Sequence, residues 1–192
     1  MGAIGNKPRK FRSAECFEEP EMLVDLKSIR NKAIEEGYMD GNKFDIERFI
    51  RDKYPNIIIK HEALASDVSG KLQMENGVWI MTVNSQHPGV RQRYTLGHEL
   101  GHYLNHRDSV KSFEDSVFFR SNQKSSMEYM ADQFAARLLM PESDINTLLK
   151  EGIKTVKEMA SRFDVSLEAM KYRLEQLGYG IKKIINYVYS YH

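Results

Sequence analysis

The run His98-Glu99-Leu100-Gly101-His102 constrains this chain more than any other feature. Its histidines are four residues apart. On an α-helix that spacing sets them about 40° apart around the axis, one turn above the other. Both imidazoles can then face one cation, and the run fits the H-E-x-x-H pattern of metal-dependent hydrolysis. Glu99 follows the first histidine, where its carboxylate reaches a water beside the metal rather than the metal itself. Zinc in such a site lowers the pKa of water toward about 7. Glu99 is then placed to accept a proton during attack on a carbonyl and to pass it to the leaving amine. The competing reading is a surface helix that happens to carry these residues. Context favours the site: a helix is expected from about Val90 to Asn105, with Leu96, Leu100, Tyr103 and Leu104 toward the core. Gly101 costs that helix about 1 kcal/mol relative to alanine, which makes sense if something passes close to its backbone beside the metal.

A catalytic zinc takes three protein ligands and keeps one open position. His106 lies on the same helix, about 12 Å along the axis from His98 if the helix is straight. Three ligands strung along one straight helix cannot close a face, so His106 is read as a helix-end residue or one behind the ligands. Glu128 is the better third ligand. It opens a helix expected from Ser126 to Met140, and it borders that helix's apolar face of Met127, Ala131, Phe134, Ala135 and Leu138. Asp132, one turn later, completes an E-x-x-x-D spacing in which the aspartate accepts a hydrogen bond from a ligand histidine and sets its tautomer. Against this, Ser125-Ser126-Met127-Glu128 is also a capping box, in which Glu128 would tie down the helix start.

Around these helices the pattern is α+β. Helices are expected over Met22–Glu36 and Asp45–Lys53, and a strand over Ile57–Lys60. Strands Gly70–Glu75 and Val78–Asn84 flank Asn76-Gly77, the pair that suits a type I′ hairpin. The second of these strands is nearly all apolar or β-branched and should be the better buried. The stretch from Arg107 to Lys124 reads as a long connection with Val117-Phe118-Phe119 packed down. Short helices follow from Asp144: Thr155 and Glu158 mark a capping box, and Ser166 caps a helix closed by Gly178.

These residues resemble the ImmA/IrrE metallo-endopeptidases. The likeness runs from about Gly70 to Gly178, carried by the stretch from Arg91 to His102 (with Arg93-Tyr94-Thr95-Leu96-Gly97 before the histidine) and by Glu128 to Pro141. Ala160-Ser161-Arg162-Phe163-Asp164-Val165-Ser166, with Arg173-Leu174 and Leu177-Gly178, looks like the family's helix-turn-helix-like region. The resemblance implies metal ligands at His98, His102 and Glu128, with Glu99 as catalytic acid/base. Gly97 and Asp132 are small departures, standing where alanine and asparagine are frequent. The expected fold is a zincin-like peptidase domain over 22–143, a small sheet plus the active-site helix. A loosely ordered lead-in over 1–21 precedes it. A helix-turn-helix-like region over 144–180 and a tail over 181–192 follow. The implied activity is cleavage of a regulatory protein, a helix-turn-helix repressor of a mobile element, prophage or stress-response locus. Zinc is the expected cofactor; manganese or another divalent ion also suits two imidazoles and a carboxylate.

The rival classes are a DNA- or protein-binding regulator and a protein whose metal only holds the fold. A net charge of +1 gives no field toward nucleic acid or membrane. DNA binding would have to come from 150–183, where eight Lys/Arg face five Asp/Glu. The helix Ser166–Leu177 sets Glu168 and Glu175 against Lys171 and Arg173, a mixture ill suited to phosphate. An intact Glu99 argues against a purely structural metal. The single cysteine, Cys16, precludes an intramolecular disulfide and suits a reducing cytoplasm. The basic N-terminus lacks the apolar stretch of a secretory signal.

Overall fold

A computed structural model describes residues 24–106, 112–113 and 126–179. The expected lead-in, Cys16, the packing of Val117-Phe118-Phe119 and the tail from 181 lie outside the described residues.

Helix α1 (Leu26–Glu35) starts at Asp25, whose side chain accepts from the Lys27 amide at 2.9 Å. It buries Ile29, Arg30 and Ala33 and gives way to Gly37 in the left-handed region at φ 74°. Two short strands that periodicity does not reveal come next. β1 (Met39–Asp40) and β2 (Lys43–Phe44) pair antiparallel around Gly41. Asp45 then caps α2 (Ile46–Lys53), which buries Ile46, Phe49 and Ile50 as their spacing predicts.

The main sheet contains β3 (Ile57–Glu62), β4 (Gly70–Glu75) and β5 (Val78–Asn84). The β4–β5 turn has Asn76 at φ 50° and Gly77 at φ 82°, the two positive values that a type I′ turn requires. β5 lies between β3, which runs parallel to it, and β4, which runs antiparallel. Flanked on both edges, it is buried from Trp79 to Asn84. After α3 (Gly89–His106), a two-residue β6 (Ser112–Phe113) pairs with β4 at Leu72 and Gln73, completing the order β3-β5-β4-β6. Asn84, fully buried, staples the loop between β3 and β4. Its Nδ2 donates to the carbonyls of Ala65 at 3.1 Å and Val68 at 2.8 Å, and its Oδ1 accepts from the Leu64 amide at 3.2 Å.

Next come α4 (Ser126–Leu139), α5 (Glu142–Lys150), α6 (Val156–Phe163) and α7 (Leu167–Gln176). The expected caps of the last two are present: Thr155 Oγ1 accepts from the Glu158 amide and Ser166 Oγ from the Ala169 amide, both at 3.1 Å. Met159, Phe163, Met170 and Leu174 belong to the same buried cluster as Leu96, Leu100, Phe134 and Leu138, so the last helices share one core with α3 and α4. Arg93 of α3 ties the layers together through its donation to the carbonyls of Phe44 at 2.7 Å, Phe163 at 3.2 Å and Asp164. The fold is α+β. Among the described residues no helix is long and apolar enough to cross a membrane.

Candidate metal centre

Two helices build the site. α3 packs against the sheet and α4, with Leu96 and Leu100 buried. Its contact with α4 is unusually close. A Cβ on Gly101 would meet Phe134 Cβ at 3.1 Å and Ala131 Cα at 3.2 Å; one on Gly97 would meet Ala135 Cβ at 3.3 Å. The small residues on both helices let the backbones approach. The neighbour that Gly101 accommodates is therefore α4, the helix that carries Glu128.

Across that contact the functional side chains converge. His98 Nε2 lies 3.0 Å from His102 Nε2. The Glu128 carboxylate spans both rings, with Oε2 3.2 Å from His98 Nε2 and Oε1 3.1 Å from His102 Nε2. On its other side His98 Nδ1 meets Asp132 Oδ1 at 3.0 Å. An ionised carboxylate only accepts, so His98 Nδ1 carries a hydrogen toward Asp132, which leaves Nε2, facing His102 and Glu128, as the nitrogen able to ligate a cation once it gives up its proton.

This donor set fits a divalent cation. Two imidazole nitrogens and a carboxylate facing one another at about 3 Å repel unless a positive charge joins them. Tetrahedral ligands about 2.0–2.1 Å from a zinc ion lie about 3.3 Å apart, close to the observed separations. The three residues can thus form one triangular face around an ion. Electrostatics agree. Burial opposes a charged His98, yet hydrogen bonds to Asp132 and Glu128 and the nearby charge of Glu99 push its pKa up to about 10. Burial likewise raises Glu128, but the hydrogen bonds with His102 and His98 hold its carboxyl well below the usual range. The centre is built to hold positive charge.

Glu99 is only 1% exposed. It lines a cleft of about 270 Å³ with His98, Glu128, Asp132, Asp67, Ser69, Arg91, Tyr94 and Thr95. β4 crosses beside it at Gly70, where a Cβ would sit 3.2 Å from Glu99 Oε1 and 2.5 Å from Thr95 Cγ2. A larger cavity of about 900 Å³ lies elsewhere, between α1 and α7, where Arg30 is ion-paired with Asp144. Among the described residues it has no comparable convergence of ligand atoms, which the smaller cleft has at His98, His102 and Glu128.

All five residues singled out in the sequence meet at this centre. His106 ends α3 as its position suggests, and its side chain lies outside the described residues, as does Ser125 of the alternative capping box. Sequence reasoning passed over five cleft residues, Asp67, Ser69, Arg91, Tyr94 and Thr95. Arg91 and Tyr94 could have been found, since they precede His98 by two turns and one turn on the same helical face. Asp67 and Ser69 arrive on the loop held by Asn84, for which no local signal exists.

A family model described as the IrrE N-terminal-like domain, a peptidase family, matches residues 52–175. The chain belongs to this family. The match begins in α2 and takes in the sheet, both metal-facing helices and nearly all of α7. No curated protein matches the chain significantly. Among solved structures, a Mycobacterium tuberculosis transcriptional regulator is similar in fold, with a TM-score of 0.55 at 15% identity. The alignment covers 78% of this chain and 46% of that one, so the chain spans less than half of that structure.

Proposed function

We propose that this chain is a metal-dependent endopeptidase that hydrolyses a peptide bond in one regulatory protein, a helix-turn-helix repressor. The observation that carries the reading is the triangle of His98 Nε2, His102 Nε2 and the Glu128 carboxylate, with Glu99 beside it in the same cleft. In this reading His98, His102 and Glu128 hold the ion, zinc being the best match to two imidazoles and one carboxylate. Asp132 keeps His98 in the tautomer whose Nε2 is free to ligate. A divalent cation held there supplies Lewis acidity, polarising a carbonyl and acidifying water.

Glu99 does the proton work. Its carboxylate accepts one proton as water adds to the scissile carbonyl carbon, and delivers it to the amide nitrogen as the C–N bond breaks. Burial by Gly70, Thr95 and α3 keeps bulk water from competing for that proton. Membership of a peptidase family supports the hydrolytic reading, and the fold likeness to a transcriptional regulator is in keeping with a regulatory substrate. A cytoplasmic setting, with α5–α7 supporting the catalytic helices or holding the substrate, completes the proposal.

The test pairs wild type with Glu99→Gln and Glu128→Ala against a helix-turn-helix repressor encoded beside this chain, in the same cells. Wild type should shorten the repressor, and Glu99→Gln should retain metal yet leave it intact. Glu128→Ala should lose metal. A repressor equally intact with wild type and Glu99→Gln refutes the peptidase, and unchanged metal content in Glu128→Ala returns that residue to a helix cap.

A further inference from the structure

Among the described residues Arg91 is the one Lys or Arg lining the cleft, which also holds His98 and the carboxylates of Asp67, Glu99, Glu128 and Asp132. It is exposed at the cleft mouth, and its Nε and Nη2 donate to Ser69 Oγ at 3.3 and 2.9 Å. Those contacts use two of the five N–H donors of a guanidinium. The other three meet no further acceptor among the described residues. Ser69 fixes the plane of the group, and the cleft side of that plane is left able to bind.

Position on α3 sets the range. Arg91 precedes His98 by seven residues, two turns, so the two share a helical face about 10.5 Å apart along the axis. That offset is between the two backbones; the guanidinium itself is held at Ser69 Oγ. An extended peptide advances about 3.3 Å per residue. A chain whose scissile bond lies at the metal triangle thus reaches the guanidinium about three residues away. At that distance Arg91 is too remote to touch the reacting carbonyl and well placed to read a side chain.

We propose that Arg91 is a specificity-determining residue that selects an acidic side chain about three residues from the bond cleaved. Planar, bidentate pairing with a carboxylate is what a guanidinium with free parallel donors does best. Arg93, two residues on, has no such role, since backbone carbonyls and Asp164 occupy it. The inference rests on the peptidase reading for its register, although charge selection at Arg91 is measurable without turnover.

Two arms separate the ideas. In the first, a randomised decapeptide library is retained on immobilised, metal-loaded Glu99→Gln protein, alone or combined with Arg91→Glu or Arg91→Gln. The parent pool should be enriched in Asp and Glu at one position. Arg91→Gln should lose that preference by about tenfold or more, and Arg91→Glu should exchange it for Lys and Arg. Pools of the same composition overturn the proposal. In the second arm, wild type and Arg91→Glu digest the same library, and the acid should lie about three residues from the cut in wild-type products only. Charge selection in the first arm with no cleavage by wild type sinks the peptidase and spares Arg91 recognition. Cleavage with identical preferences in both proteins does the reverse.

Discussion

Replacing Gly101 with alanine sets two known magnitudes against each other at the point where the metal helices touch. In an exposed helix the change stabilises by about 1 kcal/mol. Here the new methyl would lie 3.1 Å from Phe134 Cβ and Cδ1 and 3.2 Å from Ala131 Cα. Two of those atoms are fixed to the α4 backbone and cannot swing aside, so the helices must part by a few tenths of an ångström. Overpacking of that kind costs about 1–3 kcal/mol, leaving Gly101→Ala destabilised by roughly 0–2 kcal/mol. Gly97→Ala is the internal control. Its nearest contacts are looser, 3.3 Å to Ala135 Cβ and 3.4 Å to Ala135 Cα, so more of the helix gain survives. Denaturant unfolding in chelator should rank Gly101→Ala below Gly97→Ala by about 1 kcal/mol. Because Ala131 is one turn from Glu128, the same parting should also weaken metal binding, read by cation titration. Equal stability of the two variants, or a Gly101→Ala protein that binds metal like wild type, would refute the close-contact argument.

Two further outcomes follow from the contacts around the centre. Asp132→Ala removes the acceptor 3.0 Å from His98 Nδ1, and metal affinity should fall by about 10–100-fold with the fold retained by circular dichroism; an unchanged affinity would show that packing alone orients the ring. Asn84→Ala leaves the buried carbonyls of Ala65 and Val68 and the amide of Leu64 without their partner, so unfolding free energy should drop by about 2 kcal/mol or more, and a loss below about 0.5 kcal/mol would mean that water or loop movement replaces those bonds.

What could be read from the chain was what repeats locally. The histidine pair, the E-x-x-x-D pair and their apolar faces follow from 3.6 residues per turn, and α3 and α4 begin and end within a residue or so of the expected positions. Asn76-Gly77 announced its hairpin through positive φ alone. By contrast β1, β2 and β6 are two residues long, too short for any alternation to register. The parallel pairing of β3 with β5 is set by tertiary packing and has no local signature. Gly101 was legible as an anomaly, while the cause of the anomaly, Phe134 and Ala131, lies 30 or more residues away in sequence. The cleft walls were hidden for the same reason, since Asp67 and Ser69 lie on a loop pinned by the long-range staple at Asn84.

The arrangement also bears on what the last three helices are for. His102 and Glu128 come from different helices, so the triangle of His98, His102 and Glu128 exists only while α3 and α4 remain in contact. Two arginines help keep them there. Arg93 joins the first turns of α3 to the α6–α7 turn, where Asp164 adopts φ 51°. Arg173 of α7, 5% exposed, donates from Nε to the Met140 carbonyl at 3.0 Å, just past the end of α4. Between these clamps Phe163, Met170 and Leu174 are fully buried in the shared core. A helix pair whose inner face is already packed on the metal helices has only its outer face to offer a partner. On α7 that face carries Glu168, Lys171, Tyr172 and Glu175, of mixed charge with an exposed tyrosine. Such a surface suits protein better than a phosphate backbone.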